Sequence, residues 1–152
     1  QIAVMAAGGL VEYNPKGREV GFARKILLND TGAIHPMFRG KSRVFDAPCI
    51  HYDEVIELPA GSEHLATNAH TVIQAYVNYE QRLFGTQFHP EFGQEIGNKI
   101  YLRDRALLEK HQYDVDEIVK KKPSFDTGEV FFGFFLIDFK QTHCDFSLQD
   151  EV

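Results

Sequence analysis

Tryptophan is absent from the 152 residues, cysteine and methionine occur twice each, and 16 lysines and arginines face 22 aspartates and glutamates. Each shortage excludes something. Cys49 and Cys144 lie too far apart in sequence to suggest a metal-ligand pair or a disulfide framework, so a reducing, cytoplasmic setting is expected. A formal net charge of -6 leaves no basic face for nucleic acid or an anionic membrane surface. The one basic run, Lys120-Lys121-Lys122, reads as a solvated helix end. The longest apolar run, Val130 to Ile137, has eight residues, too few to cross a bilayer. The chain opens on Gln1, and Ile2 to Ala7 lacks the basic flank of a signal peptide. A start inside a longer protein is therefore expected. Repeats and low-complexity tracts are also missing.

A hydrophobic fraction of 43% with 25% charged residues is that of a globular domain able to bury a core. Ile2 to Ala7 reads as the end of a buried helix stopped by Gly8-Gly9. Leu10 to Tyr13 and Glu19 to Leu28 read as strands, with the turn signal Asn14-Pro15-Lys16-Gly17 joining them into a hairpin. Val20, Phe22, Ile26 and Leu28 alternate, Arg24 being the exception. Asn29 to Gly32 reads as a loop, and His35 to Phe38 as a short turn with two apolar anchors. Further strands are expected at 43–50, 64–67, 71–78 and 82–88. Beyond Glu91 the period turns helical, with Ile96, Ile100 and Leu107 on one face and a Glu95–Lys99 pair. A short helix is expected over Asp114 to Lys121, ending before Pro123, and the aromatic run Val130 to Phe139 is spaced as a helix, with a strand as the alternative.

The stretch from Arg82 to Glu91 carries the chemistry. An apolar strand stops at His89-Pro90-Glu91, where proline ends a ladder. A histidine acting as general base needs its second ring nitrogen bonded to a carboxylate, which fixes the tautomer and stabilises the imidazolium. Extended geometry would set His89 and Glu91 on one side. Taken alone, the spacing favours a surface histidine after a strand. His64, His70 and the His143-Cys144 pair do not assemble a zinc-ligand spacing, and no metal or cofactor is expected.

Gly85-Thr86-Gln87-Phe88-His89-Pro90-Glu91 resembles the histidine and glutamate segment of the class I glutamine amidotransferases, Gly-Xaa-Gln-Phe-His-Pro-Glu. His51-Tyr52-Asp53-Glu54-Val55 with Leu58-Pro59-Ala60-Gly61 is similar to the family's His-Xaa-Asp-Xaa-Val segment and Leu-Pro loop. Gly8 to Gly21 is similar to the hairpin that follows its nucleophile helix. These ordered matches span most of residues 1 to 108, closest in style to single-domain GMP-synthase-like members and γ-glutamyl peptidases.

The resemblance implies a flavodoxin-like α/β fold in three layers with a mixed, mostly parallel sheet, of which about a third, including the first strands, would precede Gln1. Residues 1–140 would be the C-terminal part of one domain and 141–152 a tail. It also implies a Cys-His-Glu triad hydrolysing the side-chain amide of glutamine, with His89 as base, Glu91 orienting it, and Gln1, Tyr52 and Asp53 on the substrate. The cysteine would sit in an elbow just ahead of Gln1. Without that elbow the 152 residues alone would be inactive. An ammonia-accepting synthetase domain or subunit is the implied partner. The alternatives are a γ-glutamyl peptidase on the same fold and an inactive binding or regulatory module.

Overall fold

The computed structural model describes residues 1–121. The expected helix over Val130 to Phe139, like His143 and Cys144, lies outside the described residues. A short helix α1 (Ile2–Ala6) leads into strand β1 (Leu10–Tyr13), then β2 (Glu19–Leu28), α2 (Asp30–Ile34) and a 3-10 turn at Pro36–Phe38. Strands β3 (Val44–His51), β4 (Asp53–Glu57), β5 (Glu63–Thr67), β6 (Ala75–Asn78) and β7 (Leu83–Thr86) follow, and then helices α3 (Gln94–Arg103), α4 (Arg105–Lys110) and α5 (Val115–Lys120).

Five strands form one sheet in the order β3-β2-β5-β6-β7, and β1 pairs with β4 in a second, two-stranded sheet. Among the described residues every pairing is antiparallel, which corrects the expected mostly parallel sheet. The reason lies in the connections. Parallel neighbours need a crossover of a dozen or more residues, usually helical, whereas β3 to β7 follow one another through loops too short for one, and the longer helices come only after β7.

The expected 10–28 hairpin is not formed either. β1 turns away to β4, with Tyr13 opposite Asp53, and the amide of Asn14 donates to the Tyr52 carbonyl at 3.3 Å. β2 pairs with β3 instead, with Glu19 opposite His51.

Arg24, the exception in the alternation, marks a bulge. The register with β3 shifts between Ala23 and Ile26, Lys25 adopts a positive φ of 51°, and Asp46 holds the bulge by accepting from the Lys25 amide at 2.8 Å and pairing with Arg24 at 3.0 Å. A one-residue slip exchanges the two faces of a strand. Glu19, Gly21 and Ala23 are therefore buried before the bulge, and Ile26 and Leu28 after it.

The main core gathers Ala23, Ile26 and Leu28 with Phe38, Phe45, Leu65, Val77 and Phe88. On β2 and β3, Val20 and Ile50 pack against a second cluster of Tyr101, Leu108, Val115 and Ile118 from α3, α4 and α5. Tyr101 seals this contact by donating to the Gly21 carbonyl at 2.7 Å. Ile96 and Leu107, expected on one face with Ile100, are 51% and 44% exposed. The face that packs carries Gly97, Tyr101 and Leu108. α1 likewise buries only Val4, which joins Val55 and Tyr76, while Ile2 and Met5 are exposed.

Asn29 begins a helix rather than a loop, its side chain capping Gly32 N–H at 2.7 Å. α5 starts the same way, with Asp114 capping Glu117. Glu95 and Lys99 pair as expected, at 2.6 Å. Among the described residues no helix is long and apolar enough to cross a membrane.

Candidate active site

β7 lies against β6, with Gly85 opposite Tyr76. Any Cβ at position 85 would run into the Tyr76 ring, which explains glycine at the start of the Gly-Thr-Gln-Phe-His segment. Beyond β7 the chain stays stitched to the sheet: the Gln87 amide donates to the Gln74 carbonyl and the His89 amide to the Pro48 carbonyl, both at 2.8 Å. Phe88, 2% exposed, anchors the segment edge-on against Phe45. His89 is thus delivered at a fixed point beside the end of β3.

The partner carboxylate is reached by a turn rather than by strand alternation. Residues 89–92 fold back, with the Phe92 amide donating to the His89 carbonyl at 3.2 Å. His89 Nδ1 then lies 2.7 Å from Glu91 Oε1, and its ring stacks on Phe92 with centroids 4.1 Å apart and planes 4° from parallel. A carboxylate only accepts, so Nδ1 carries the proton and Nε2 offers its lone pair. Nε2 makes no hydrogen bond among the described residues. The imidazole and carboxylate are about a third and a half exposed, open to an incoming group.

A cavity of about 440 Å3 adjoins this pair, lined by Gln1, Ile2, Ala3, Ile50, His51, Thr86, Gln87 and His89. Two of its walls meet at one atom. The backbone carbonyl of Asp53 receives Gln1 Nε2 at 2.6 Å, Gln87 Nε2 at 3.0 Å and His51 Nδ1 at 3.0 Å. Gln1 and Asp53, both named from the sequence, are therefore in contact, and Gln1 shares the cavity with His89. Tyr52 is placed differently. Its ring is sandwiched by the Arg18 guanidinium at 3.9 Å and by Tyr13 and His111, and its carbonyl is taken by Asn14.

Sequence reading assigned no role to Gln87, Glu19 or Gln74. Glu19 is 7% exposed, and its carboxylate accepts from His51 Nε2 at 2.9 Å, Gln74 Nε2 at 2.9 Å and Asn68 Nδ2 at 2.6 Å. Burial alone would push its carboxyl up, but the donors from His51, Asn68 and Gln74 outweigh it and hold the group below the usual range. Asparagine and glutamine on neighbouring segments give no sequence signal of such convergence.

Glu19, His51 and His70 bring three ligand-type atoms within 4.8 Å of one another, yet Glu19 is already engaged by three donors and His70 Nδ1 by Asn14 and Thr71. We read the group as a hydrogen-bond network rather than a metal centre. Among the described residues the one cysteine, Cys49, is fully buried, and burial followed by the Glu19 charge pushes its thiol well up. It is no nucleophile.

The backbone has the α/β fold of solved glutamine amidotransferases: one from Thermotoga maritima matches with a TM-score of 0.73 at 19% identity, over 93% of this chain and 57% of that one. The glutamine amidotransferase class-I family model matches residues 1–108, and the chain belongs to that family. It is 32% identical over 119 residues to the γ-glutamyl-L-1-hydroxyisopropylamide hydrolase of a Pseudomonas species, covering 75% of this chain and 40% of that protein. It is 42% identical over 91 residues to one subunit of the glutamine-hydrolysing GMP synthase of Sulfurisphaera tokodaii, covering 60% of this chain and 46% of that one. The chain thus spans less than half the length of these two relatives.

Proposed function

We propose that the whole protein hydrolyses the side-chain amide of glutamine, with His89 as general base and acid, Glu91 as its orienting carboxylate, and a cysteine thiolate supplied by residues ahead of Gln1. The observation that carries this reading is the 2.7 Å contact between His89 Nδ1 and Glu91 beside a cavity that also holds Gln1 and Gln87.

In the proposed reaction His89 takes the thiol proton and the thiolate attacks the amide carbon. The imidazolium, stabilised by Glu91, then protonates the departing nitrogen, and ammonia leaves a thioester. Water, deprotonated by the same Nε2, attacks the thioester and releases glutamate. The amino-acid end of the substrate would lie against Gln1 and the backbone at Asp53, with Tyr52, whose ring and carbonyl are engaged elsewhere, contributing at most its backbone N–H. The ammonia would pass to a synthetase, on the same chain or a separate one, which the names of the GMP synthase relatives suggest.

A second reading has its own support: the Pseudomonas relative is named for a γ-glutamyl amide. A cavity of about 440 Å3 is within the range of small-ligand sites. Release of glutamate from glutamine and from γ-glutamyl alkylamides, assayed side by side on the whole protein, separates the two. Preference for glutamine supports the amidotransferase, and preference for the alkylamide the peptidase. Hydrolysis of neither would make the domain a binding module.

A further inference from the structure

His51 lies on the cavity wall, its side chain 5% exposed, and both ring nitrogens face atoms that can only accept. Nε2 is 2.9 Å from the Glu19 carboxylate and Nδ1 is 3.0 Å from the Asp53 carbonyl. A neutral ring satisfies one of these contacts and sets a lone pair against the other. The doubly protonated ring satisfies both. Glu19 is the counter-charge, kept ionised by its amide donors Asn68 and Gln74.

We infer that Glu19 and His51 form a second histidine–carboxylate pair, in which His51 as imidazolium is a positioning residue that fixes the Asp53 carbonyl against Gln1 and Gln87, two residues that line the cavity. The Asp53 carbonyl sits behind the wall and accepts from Gln1 and Gln87, which line it, and His51 is the third group holding it there. Because β2 and β3 set Glu19 opposite His51, the charge lies on the sheet itself and the carbonyl is tied to it rather than to the loop.

His70 is the other imidazole near Glu19. His70 lies edge-on to it, ring centroids 5.9 Å apart, with Nδ1 4.0 Å from Glu19. Asn14 Nδ2 lies 3.3 Å and Thr71 Oγ1 3.1 Å from His70 Nδ1. Burial first, then the charges of His51 and Lys16, hold His70 below the usual range, against Glu19 and Glu54. His89, lining the same cavity, is paired with Glu91.

The inference rests on the cavity being the glutamine site, and the test separates the two. On the whole protein, ring 15N spectra at pH 7 are expected to show both His51 nitrogens protonated, and Glu19→Gln to leave one protonated. His51→Ala and Glu19→Ala are expected to raise the KM for glutamine about tenfold to a hundredfold, the loss of a charge-assisted hydrogen bond. The change in kcat is expected to be much smaller, the double variant no worse than either single one, and Glu19→Gln milder than Glu19→Ala. A singly protonated His51 in the unmodified protein overturns the inference, whether or not the alanine variants fold. So does a fall in kcat at unchanged KM. If instead His89→Asn hydrolyses glutamine normally, the reading of the site fails, and the ring protons alone decide the state of His51.

Discussion

The imidazole of His89 lies flat on the ring of Phe92, centroids 4.1 Å apart. Stacking on one side and the Glu91 hydrogen bond at Nδ1 restrain the ring at two points. Removing the two restraints should have unequal effects. Glu91→Gln keeps the shape but not the charge that stabilises imidazolium, and should lower kcat by about 10² to 10⁴. Phe92→Leu removes the stack and should cost less than about tenfold. Steady-state glutamine hydrolysis measures both.

Gln87 is 8% exposed and spends its side-chain N–H on the Asp53 carbonyl. Gln87→Ala should cost about 0.5–1.5 kcal/mol in a urea titration and raise the KM for glutamine about threefold to tenfold. The variant Gln87→Glu sets a carboxylate against that carbonyl and should be worse on both counts.

A Cβ at position 85 meets the Tyr76 ring. Gly85→Ala should therefore destabilise the protein by about 1–3 kcal/mol through overpacking. Tyr76→Leu in the same chain should return part of that loss, which thermal unfolding of the single and double variants would show.

Glu19 is held below the usual carboxylate range in the fold. A lowered folded-state value stabilises the fold above the ordinary carboxylate pKa, and that stability disappears as the pH falls through the folded value. Urea titrations from pH 7 to pH 3 should show this acid loss starting below about 4.5. Glu19→Gln should show a shallower dependence over the same window.

Much of this site was legible in sequence. Gly85 to Glu91 marked the His89–Glu91 pair that the fold brings to 2.7 Å, and the Gly8–Gly21 and His51–Gly61 segments chose the family reading over a bland surface histidine. Pairing was less legible. Asn14-Pro15-Lys16-Gly17 announces a turn, but a turn signal does not say that β1 will leave for β4. The alternation placed Val20, Phe22, Ile26 and Leu28 in one set, but the bulge divides them between the two faces, and a sequence pattern cannot show which residue is extra. The expected parallel sheet came from the family likeness, and the short connections from β3 to β7 contradict it for the described residues. Glu19 was the least legible, since a glutamate at the start of a strand reads as solvated until Asn68, Gln74 and His51 are seen to converge on it.

The central claim is that His89 is the base. On the whole protein, His89→Asn should lower kcat/KM for glutamine by about 10² to 10⁴ while leaving the melting temperature within a few degrees, because the side chain is part-exposed and its backbone is held through Pro48. Hydrolysis by that variant within about twofold of the unmodified protein would contradict the account, since a positioned base contributes far more than that.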